Sequence, residues 1–149
     1  MDKNTIIIGV ASDHAGFETK EHVKEWLTQQ GYAIKDYGTN SAESCDYPDY
    51  AHALAYGLEK GEATIGIAVC GSGEGICITL NKHQSVRAAL AWRPEIAKLS
   101  RQHNNANVLC MPGRFVSLLE AEQIVATFLS TEFEGGRHQR RIDKISIRK

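Results

Sequence analysis

Short apolar runs alternate with amphipathic stretches along the chain, and this pattern predicts strands that are each followed by a helix. Residues 5–11 form a continuous apolar and β-branched run, which is typical of a strand buried on both faces. Four later runs also predict strands. The five predicted strands are residues 5–11, 32–37, 64–69, 86–92 and 106–111.

Helical patterns fill the stretches after the strands, and they end at Gly31, Gly61, about Lys82, Asn105 and Phe133. A basic helical tail is predicted at residues 137–141. Alternating strands and helices require parallel crossovers. The sequence therefore predicts a single α/β domain over residues 1–149. Its expected fold is a doubly wound, Rossmann-like five-stranded parallel sheet with helices on both faces and a C-terminal basic helix.

A glycine-rich turn, Gly71-Ser72-Gly73-Glu74-Gly75, follows the third predicted strand. A strand, such a turn and a helix together form a nest of backbone N–H groups, which favours anions. Cys70 stands at the edge of this nest, and thiols near helix N-termini react as thiolates. The turn does not match the dinucleotide or nucleoside-triphosphate fingerprints. It indicates either chemistry on a molecule that becomes negatively charged or a tight turn with a merely buried cysteine.

Two further groups follow strands, at the sheet edge where ligands of such folds bind. Asp13-His14 ends the first strand, and Arg114 comes shortly after the fifth. If the first and third strands are neighbours, an acid, an imidazole, a thiol and an anion nest face one crevice. The alternative is that Asp13 caps a helix beside an incidental histidine.

Another two groups carry candidate chemistry at helix ends. Arg137 and Arg141 lie four residues apart, so on a helix they share a face and could hold one phosphate, although a solvated basic tail is the alternative. His103 and Asn104 also suit an ordinary helix C-terminus. From the residues alone, we expect all of these groups to lie at the same edge as Cys70.

The composition narrows the classes of function. A chain of 149 residues with a formal net charge of −1 can bury one core, and its charge gives no support for binding nucleic acid or a membrane. We identify no apolar run long enough to span a bilayer and no signal peptide. The 4 cysteines and 6 histidines match no zinc spacing, so we expect reduced thiols, a cytoplasmic protein and no metal.

Taken together, these residues make the chain resemble the ribose-5-phosphate isomerase B family, relatives of galactose-6-phosphate and allose-6-phosphate isomerases. The resemblance runs from Ile7 to about Ile145 and rests on motifs that occur in the same order: Ser12-Asp13-His14-Ala15-Gly16-Phe17, Asp46-Tyr47-Pro48, Cys70-Gly71-Ser72-Gly73-Glu74-Gly75, Asn81-Lys82, Ser100-Arg101-Gln102-His103-Asn104, Asn107-Val108-Leu109 and Phe133-Glu134-Gly135-Gly136-Arg137-His138.

This resemblance implies that the chain interconverts D-ribose 5-phosphate and D-ribulose 5-phosphate, a reaction of the pentose phosphate pathway, without metal or organic cofactor. A six-carbon sugar phosphate, allose 6-phosphate or galactose 6-phosphate, is the alternative substrate. Two other functions stay open beside it. One is a phosphate-binding α/β module without chemistry, and the other is a thiol redox protein.

The resemblance also implies roles at the glycine-rich turn. Cys70 is the base that moves a proton between C2 and C1, and the amides of Gly71 to Gly75 hold the enediolate oxygen. Ser72 places its hydroxyl at the reacting carbons. Some family members lack the cysteine and use a glutamate where this chain has Ile76. Because the cysteine is present here, we keep it as the base and expect Glu74 to point to solvent.

The remaining implied roles concern ring opening, substrate binding and assembly. His103 helps to open the furanose ring with assistance from Asp13, and Asn104 contacts the sugar. The implied phosphate-binding residues are His14, Arg114, Arg137 and Arg141. The family implies a homodimer or a dimer of dimers with sites at the subunit interface, where His103 and Asn104 reach towards the neighbour's Cys70.

Overall fold

The computed structural model describes residues 1–147, and its five strands form one parallel sheet in the order β2-β1-β3-β5-β4. The strands are β1 (Ile7–Ser12), β2 (Ala33–Asp36), β3 (Ile65–Cys70), β4 (Ala88–Leu90) and β5 (Val108–Pro112). The predicted doubly wound α/β fold is therefore confirmed. Residues 148 and 149 of the predicted domain lie outside the described residues.

Helices cover both faces of this sheet. They are α1 (Phe17–Gln29), α2 (Tyr47–Glu59), α3 (Glu74–Leu80), α4 (Pro94–Asn104), α5 (Leu118–Ser130) and α6 (Arg137–Ile142). Apolar residues of α1, α4 and α5 pack in one core, and those of α2 and α3 pack in a second core on the opposite face. No helix within residues 1–147 is long and apolar enough to cross a membrane.

The boundaries differ most from the predicted ones at the edge of the sheet. The predicted strand 86–92 is shortened to Ala88–Leu90, because only β5 flanks it and the pairing is confined to three positions, Ala88↔Val108 to Leu90↔Cys110. The predicted helix 117–133 ends at Ser130. Its start is well defined, because Ser117 and Glu120 form a reciprocal capping box.

The strand order places the change of winding direction between β1 and β3. The chain passes from β1 outward to β2 and then crosses to β3 on the other side of β1. The carboxyl ends of β1 and β3 therefore flank the crevice where ligands of doubly wound sheets bind. Gly16 lets the start of α1 approach this point, since a Cβ there would lie 2.3 Å from the carbonyl oxygen of Val69.

A buried lysine ties α1 to the end of β2. The Lys20 side chain is only 1% exposed, and its Nζ lies 2.9 and 2.8 Å from the two carboxylate oxygens of Asp36. Lys24 and the amide of Gly38 also donate to that carboxylate. Burial by itself would raise the pKa of Asp36, but these hydrogen bonds outweigh it and hold the pKa below its ordinary value.

We expect Asp36→Asn to remove an acid-sensitive part of the stability. A carboxyl whose pKa is lower in the native state stabilises the fold above the unfolded pKa of about 3.9, and this contribution is lost as the pH falls through the native pKa. The free energy of unfolding of the variant should therefore depend less on pH below about pH 5 than that of the wild type. Urea denaturation across this range measures it, with the exposed Glu25→Gln on α1 as control. Parallel pH curves for Asp36→Asn and wild type would contradict the prediction.

Candidate active site

The glycine-rich turn begins at Cys70, the last residue of β3. The Cys70 side chain is buried, with 3% of the residue exposed. Gly73 has a positive φ of 76°, and a Cβ there would lie 2.9 Å from the carbonyl carbon of Met111. Only glycine satisfies both constraints, so the backbone turns tightly over β5 and α3 starts at Glu74.

This tight turn leaves a group of backbone donors without acceptors. The N–H groups of Gly71, Ser72, Gly73 and Gly75 donate to no acceptor among residues 1–147. The Oγ of Ser72 accepts the N–H of Glu74 at 3.2 Å, so the Ser72 O–H stays free to donate. Glu74 itself is exposed, as expected. The turn therefore presents several hydrogen-bond donors beside the Cys70 thiol, and an anion suits this arrangement.

Asp13 and His14 lie at the end of the neighbouring strand β1. The Asp13 N–H donates to the carbonyl of Val69, which joins the two strand ends. One carboxylate oxygen of Asp13 accepts the Gly16 N–H at 3.0 Å, just before α1 starts. The alternative that Asp13 caps this helix therefore explains the position of one of its two oxygens. The Nδ1 atom of His14 lies 3.2 Å from both the N and the O of Cys45, which leaves Nε2 available for a ligand.

Arg114 completes this edge from β5. Its backbone N–H donates to the carbonyl of Gly71 at 3.1 Å. Its guanidinium lies over the turn, because a Cβ on Gly71 would be 2.9 Å from Nη1, and it makes no ion pair with any residue among 1–147. Tyr47 covers the turn from α2, since a Cβ on Gly75 would lie 2.5 Å from its ring. Tyr47 belongs to the motif Asp46-Tyr47-Pro48, but no signal in the sequence assigned it a role.

The expectation that all candidates lie at one edge is wrong. His103 and Asn104 end α4, and Arg87, directly before β4, donates to the carbonyls of Asn104 and Asn105. These residues therefore lie at the amino ends of β4 and β5. The physical reason is that a crossover helix runs antiparallel to the strands, so a helix between two parallel strands ends where the next strand begins.

Arg137 and Arg141 lie with this second group. Their helix, α6, packs against α4, and Ile142 lines a cavity together with Asn104 and Ala88. Both arginines are exposed, and neither makes an ion pair with a residue among 1–147. The five residues of β5 separate the two edges by roughly 16 Å at about 3.3 Å per residue. A single chain therefore brings together Asp13, His14, Cys70, Ser72 and Arg114, but not the second group.

The other thiols near Cys70 form a pair of their own. The Cys77 thiol donates to the carbonyl of Ala88 at 3.5 Å, and its interaction with the Cys110 thiol lowers the pKa of Cys77. Burial is the main reason why the pKa of Cys110 is raised well above its ordinary value. All 4 cysteines are free. The thiol that Cys77 interacts with is therefore Cys110 and not Cys70. This gives no support to the alternative that the chain is a thiol redox protein.

A possible ligand set for a metal occurs at the second edge. His103, Glu134 and His138 each offer one ligand atom, and these atoms lie within 4.8 Å of one another. The two imidazole rings are stacked, with centroids 4.4 Å apart and planes 15° from parallel. A metal bound at about 2.0–2.1 Å lies close to the plane of each ligating ring. Rings this close to parallel do not direct both nitrogens at one point, so the arrangement does not suit chelation.

Comparisons with known proteins agree with the fold and with the motifs. The profile of the ribose/galactose isomerase family matches residues 8–145. The probable ribose-5-phosphate isomerase B of Mycoplasma genitalium is 46% identical over 140 residues, which cover 93% of this chain and 92% of the relative. The ribose-5-phosphate isomerase B of Escherichia coli K12 is 42% identical over 139 residues, covering 93% of each chain.

Solved structures of similar proteins extend this agreement to three dimensions. A ribose 5-phosphate isomerase from Thermotoga maritima superposes with a TM-score of 0.93 at 50% identity, covering 95% of this chain and 97% of the other. The ribose-5-phosphate isomerase B of Mycoplasma genitalium with bound ribulose-5-phosphate gives a TM-score of 0.91 at 45% identity, covering 95% and 94%.

Proposed function

The chain belongs to the ribose/galactose isomerase family, and we propose that it interconverts D-ribose 5-phosphate and D-ribulose 5-phosphate as an aldose–ketose isomerase. One observation carries the proposal: the Cys70 thiol lies beside a turn in which the N–H groups of Gly71, Ser72, Gly73 and Gly75 have no acceptors among residues 1–147. Such a site suits a reaction that passes through an anion. The relative from Mycoplasma genitalium was solved with ribulose-5-phosphate, the product of this reaction.

Cys70 acts as the base in this proposal. The hydrogen at C2 of the open-chain aldose is weakly acidic, so its removal requires stabilisation of the enediolate that forms. The free amides of Gly71, Ser72, Gly73 and Gly75 stabilise that oxyanion, and preorganised donors of this kind usually give the largest effect. A positioned base contributes roughly a further 10²–10⁴-fold. Cys70 takes the proton from C2 and returns it to C1, while the Ser72 hydroxyl donates to the reacting oxygens.

The phosphate does not react, and its role is to hold the sugar in place. The Nε2 atom of His14 and the guanidinium of Arg114 are available for it at the Cys70 edge. Arg137 and Arg141 project from one face of α6 and provide two further cationic groups. Anchoring this end of the substrate orients C1 and C2 beside the thiol, so binding energy assists the proton transfer.

The complete site requires a second copy of the chain. Within one chain, His103, Asn104, Arg137 and Arg141 lie at the opposite edge of the sheet from Cys70. In a dimer, or a dimer of dimers, the second group of one subunit approaches the Cys70 turn of its neighbour. Exposed apolar side chains beside the turn support this contact, since Ile78 on α3 is 62% exposed and Tyr47, which covers the turn from α2, is 38% exposed. His103 then opens the furanose ring together with the neighbour's Asp13.

We propose ribose 5-phosphate as the substrate in preference to a six-carbon sugar phosphate. The reason is that the similar proteins from Mycoplasma genitalium and Escherichia coli are named ribose-5-phosphate isomerase B. The test is an isomerisation assay in EDTA with ribose 5-phosphate, allose 6-phosphate and galactose 6-phosphate. Turnover of ribose 5-phosphate at the highest kcat/KM supports the proposal. No turnover of any sugar, or activity abolished by the chelator, would contradict it. The cytoplasmic location expected from the reduced cysteines stays a prediction.

Replacing the base should remove the proton transfer and leave binding intact. Cys70→Ala should lower kcat for ribose 5-phosphate by at least roughly 10²-fold, because a positioned base contributes that much or more. Exchange of the C1 hydrogen of ribulose 5-phosphate with solvent, followed by NMR in D2O, should fall equally. Cys77→Ala serves as the control, because it removes a different thiol, which lies on α3. This variant should keep its activity. A Cys70→Ala enzyme that exchanges at the wild-type rate would move the base elsewhere, with Glu74 the first residue to test.

The phosphate contacts of α6 can be tested within a single helix. Arg137→Ala and Arg141→Ala should each weaken substrate binding by about 1.5–3 kcal/mol, the range for charged hydrogen bonds. Gln139→Ala is the control within the same helix, because this exposed residue is two positions from each of the two arginines and therefore lies on the opposite side of α6. Inhibition by inorganic phosphate reports the same effect without catalysis. If all three variants bind alike, the basic helix is only a solvated surface.

Mixed dimers test whether two chains share one site. Cys70→Ala and His103→Ala chains are each expected to be inactive alone. After unfolding and refolding together, a mixed dimer contains one site with both residues intact, so part of the activity should return. Native mass spectrometry verifies that heterodimers have formed. Heterodimers that recover no activity would show that each site is built within one subunit.

A further inference from the structure

The segment between α5 and α6 returns the chain to the last turn of α4. The Glu134 N–H donates to the carbonyl of Gln102 at 3.1 Å, which fixes the backbone of this segment on α4. Gly135 and Gly136 follow with positive φ angles of 70° and 57°, so the chain reverses and α6 starts at once. The reversal places His138, in the first turn of α6, against the end of α4.

Three side chains meet at this point. The rings of His103 and His138 are stacked with their centroids 4.4 Å apart. Glu134 Oε1 lies 3.6 Å from His103 Nε2 and 3.5 Å from His138 Nε2, so one carboxylate oxygen faces both rings. The His138 side chain is only 11% exposed, whereas that of His103 is 43% exposed. The buried ring therefore supports the exposed one, and the carboxylate lies beside both.

We propose that Glu134 and His138 are positioning residues for His103 in the opening of the furanose ring. This inference rests on the proposed function, since it assumes that His103 opens the ring. Ring opening removes the proton of the anomeric hydroxyl, breaks the bond between C1 and the ring oxygen, and places a proton on that oxygen. The products are an aldehyde at C1 and a hydroxyl at C4. One proton is removed and one is added, so the step needs an acid and a base but no other reactant.

Glu134 and His138 supply the charge and the fixed orientation that the His103 imidazole needs for this step. An imidazole that gives and takes protons carries a positive charge for part of the cycle, and a nearby carboxylate stabilises that form. The stacked ring of His138 restricts the rotation of His103, so its nitrogens keep one direction towards the substrate. In other active sites, side chains that contact a reacting group act in this way by fixing its orientation and charge.

The same contacts connect ring opening with phosphate binding. His138 lies directly after Arg137 and one turn before Arg141 on α6. The stack therefore holds the helix that carries the two arginines at a fixed distance from His103. A substrate whose phosphate is bound by α6 presents its ring to His103 without further adjustment of the protein.

Ring opening and proton transfer can be measured separately. Ribose 5-phosphate enters as a closed ring, whereas ribulose 5-phosphate is an open chain, because its phosphorylated O5 cannot close a furanose on C2. Turnover of ribose 5-phosphate thus requires ring opening, and exchange of the C1 hydrogen of ribulose 5-phosphate with D2O does not. The variants are His103→Ala, Glu134→Gln, Glu134→Asp and His138→Ala.

Glu134→Gln and His138→Ala should lower kcat for ribose 5-phosphate by about tenfold, a fraction of the 10²–10⁴-fold of a full acid–base group. For Glu134→Gln, the exchange rate and the KM for ribulose 5-phosphate should change by less than about twofold, because neither depends on ring opening. His138→Ala also removes the stack that holds α6, so for this variant the exchange rate is compared at saturating ribulose 5-phosphate, where it should likewise change by less than about twofold. Glu134→Asp keeps the charge and should recover part of the lost turnover. A merely structural role would lower both rates together and raise KM.

Glu122→Gln is the matched control. It removes the carboxylate of another histidine–glutamate pair, His22 Nε2 to Glu122 Oε2 at 2.6 Å, which joins α1 to α5 away from both groups of site residues. If the wild type does not isomerise ribose 5-phosphate, the proposed function itself fails. If His103→Ala loses ring opening selectively while Glu134→Gln and His138→Ala behave like Glu122→Gln, the function stands and the positioning role is overturned.

Discussion

The direction of the strands in a parallel sheet is the constraint on which this site depends. All strands of the sheet end at one edge, and the crossover helices end at the other. Cys70 is the last residue of a strand, whereas His103 lies in the last turn of a helix, so no change of loop conformation brings them together within one chain. A reaction that needs both a base at a strand end and an imidazole at a helix end therefore requires two chains. In the function proposed for this chain, the assembly is therefore part of the active site.

Glycines at the carboxyl edge set the geometry of the reacting half of the site. Gly16 brings the start of α1 onto Val69, and Gly73 brings the turn onto β5. Because neither glycine has a side chain, its backbone lies in direct contact with the backbone of a neighbouring strand. These contacts hold the carboxyl ends of β1, β3 and β5 close together. The result is a rigid set of amide donors around Cys70. Stabilisation of an oxyanion depends on such donors being in place before the charge develops.

The sequence was sufficient to predict the strands, the class of sheet and the first group of site residues, because hydrophobic periodicity and glycine-rich turns are local signals. The residues alone failed for the second group, since the position of His103 depends on which way its helix runs along the sheet. Only the family resemblance assigned His103 and Asn104 to the interface with a neighbouring subunit. The partnership of Glu134 and His138 with His103 was also not predicted. It depends on how the chain reverses at two glycines and packs on α4, and periodicity carries no information about such packing.

The claim that one site is shared by two chains is tested most directly by the specific activity of the enzyme during dilution. The rate with ribose 5-phosphate is measured per chain over a series of protein concentrations, and analytical ultracentrifugation gives the fraction of assembled protein at each concentration. We expect the specific activity to fall in proportion to this fraction and the separated chains to be inactive. Separated chains that retain the full specific activity would contradict it.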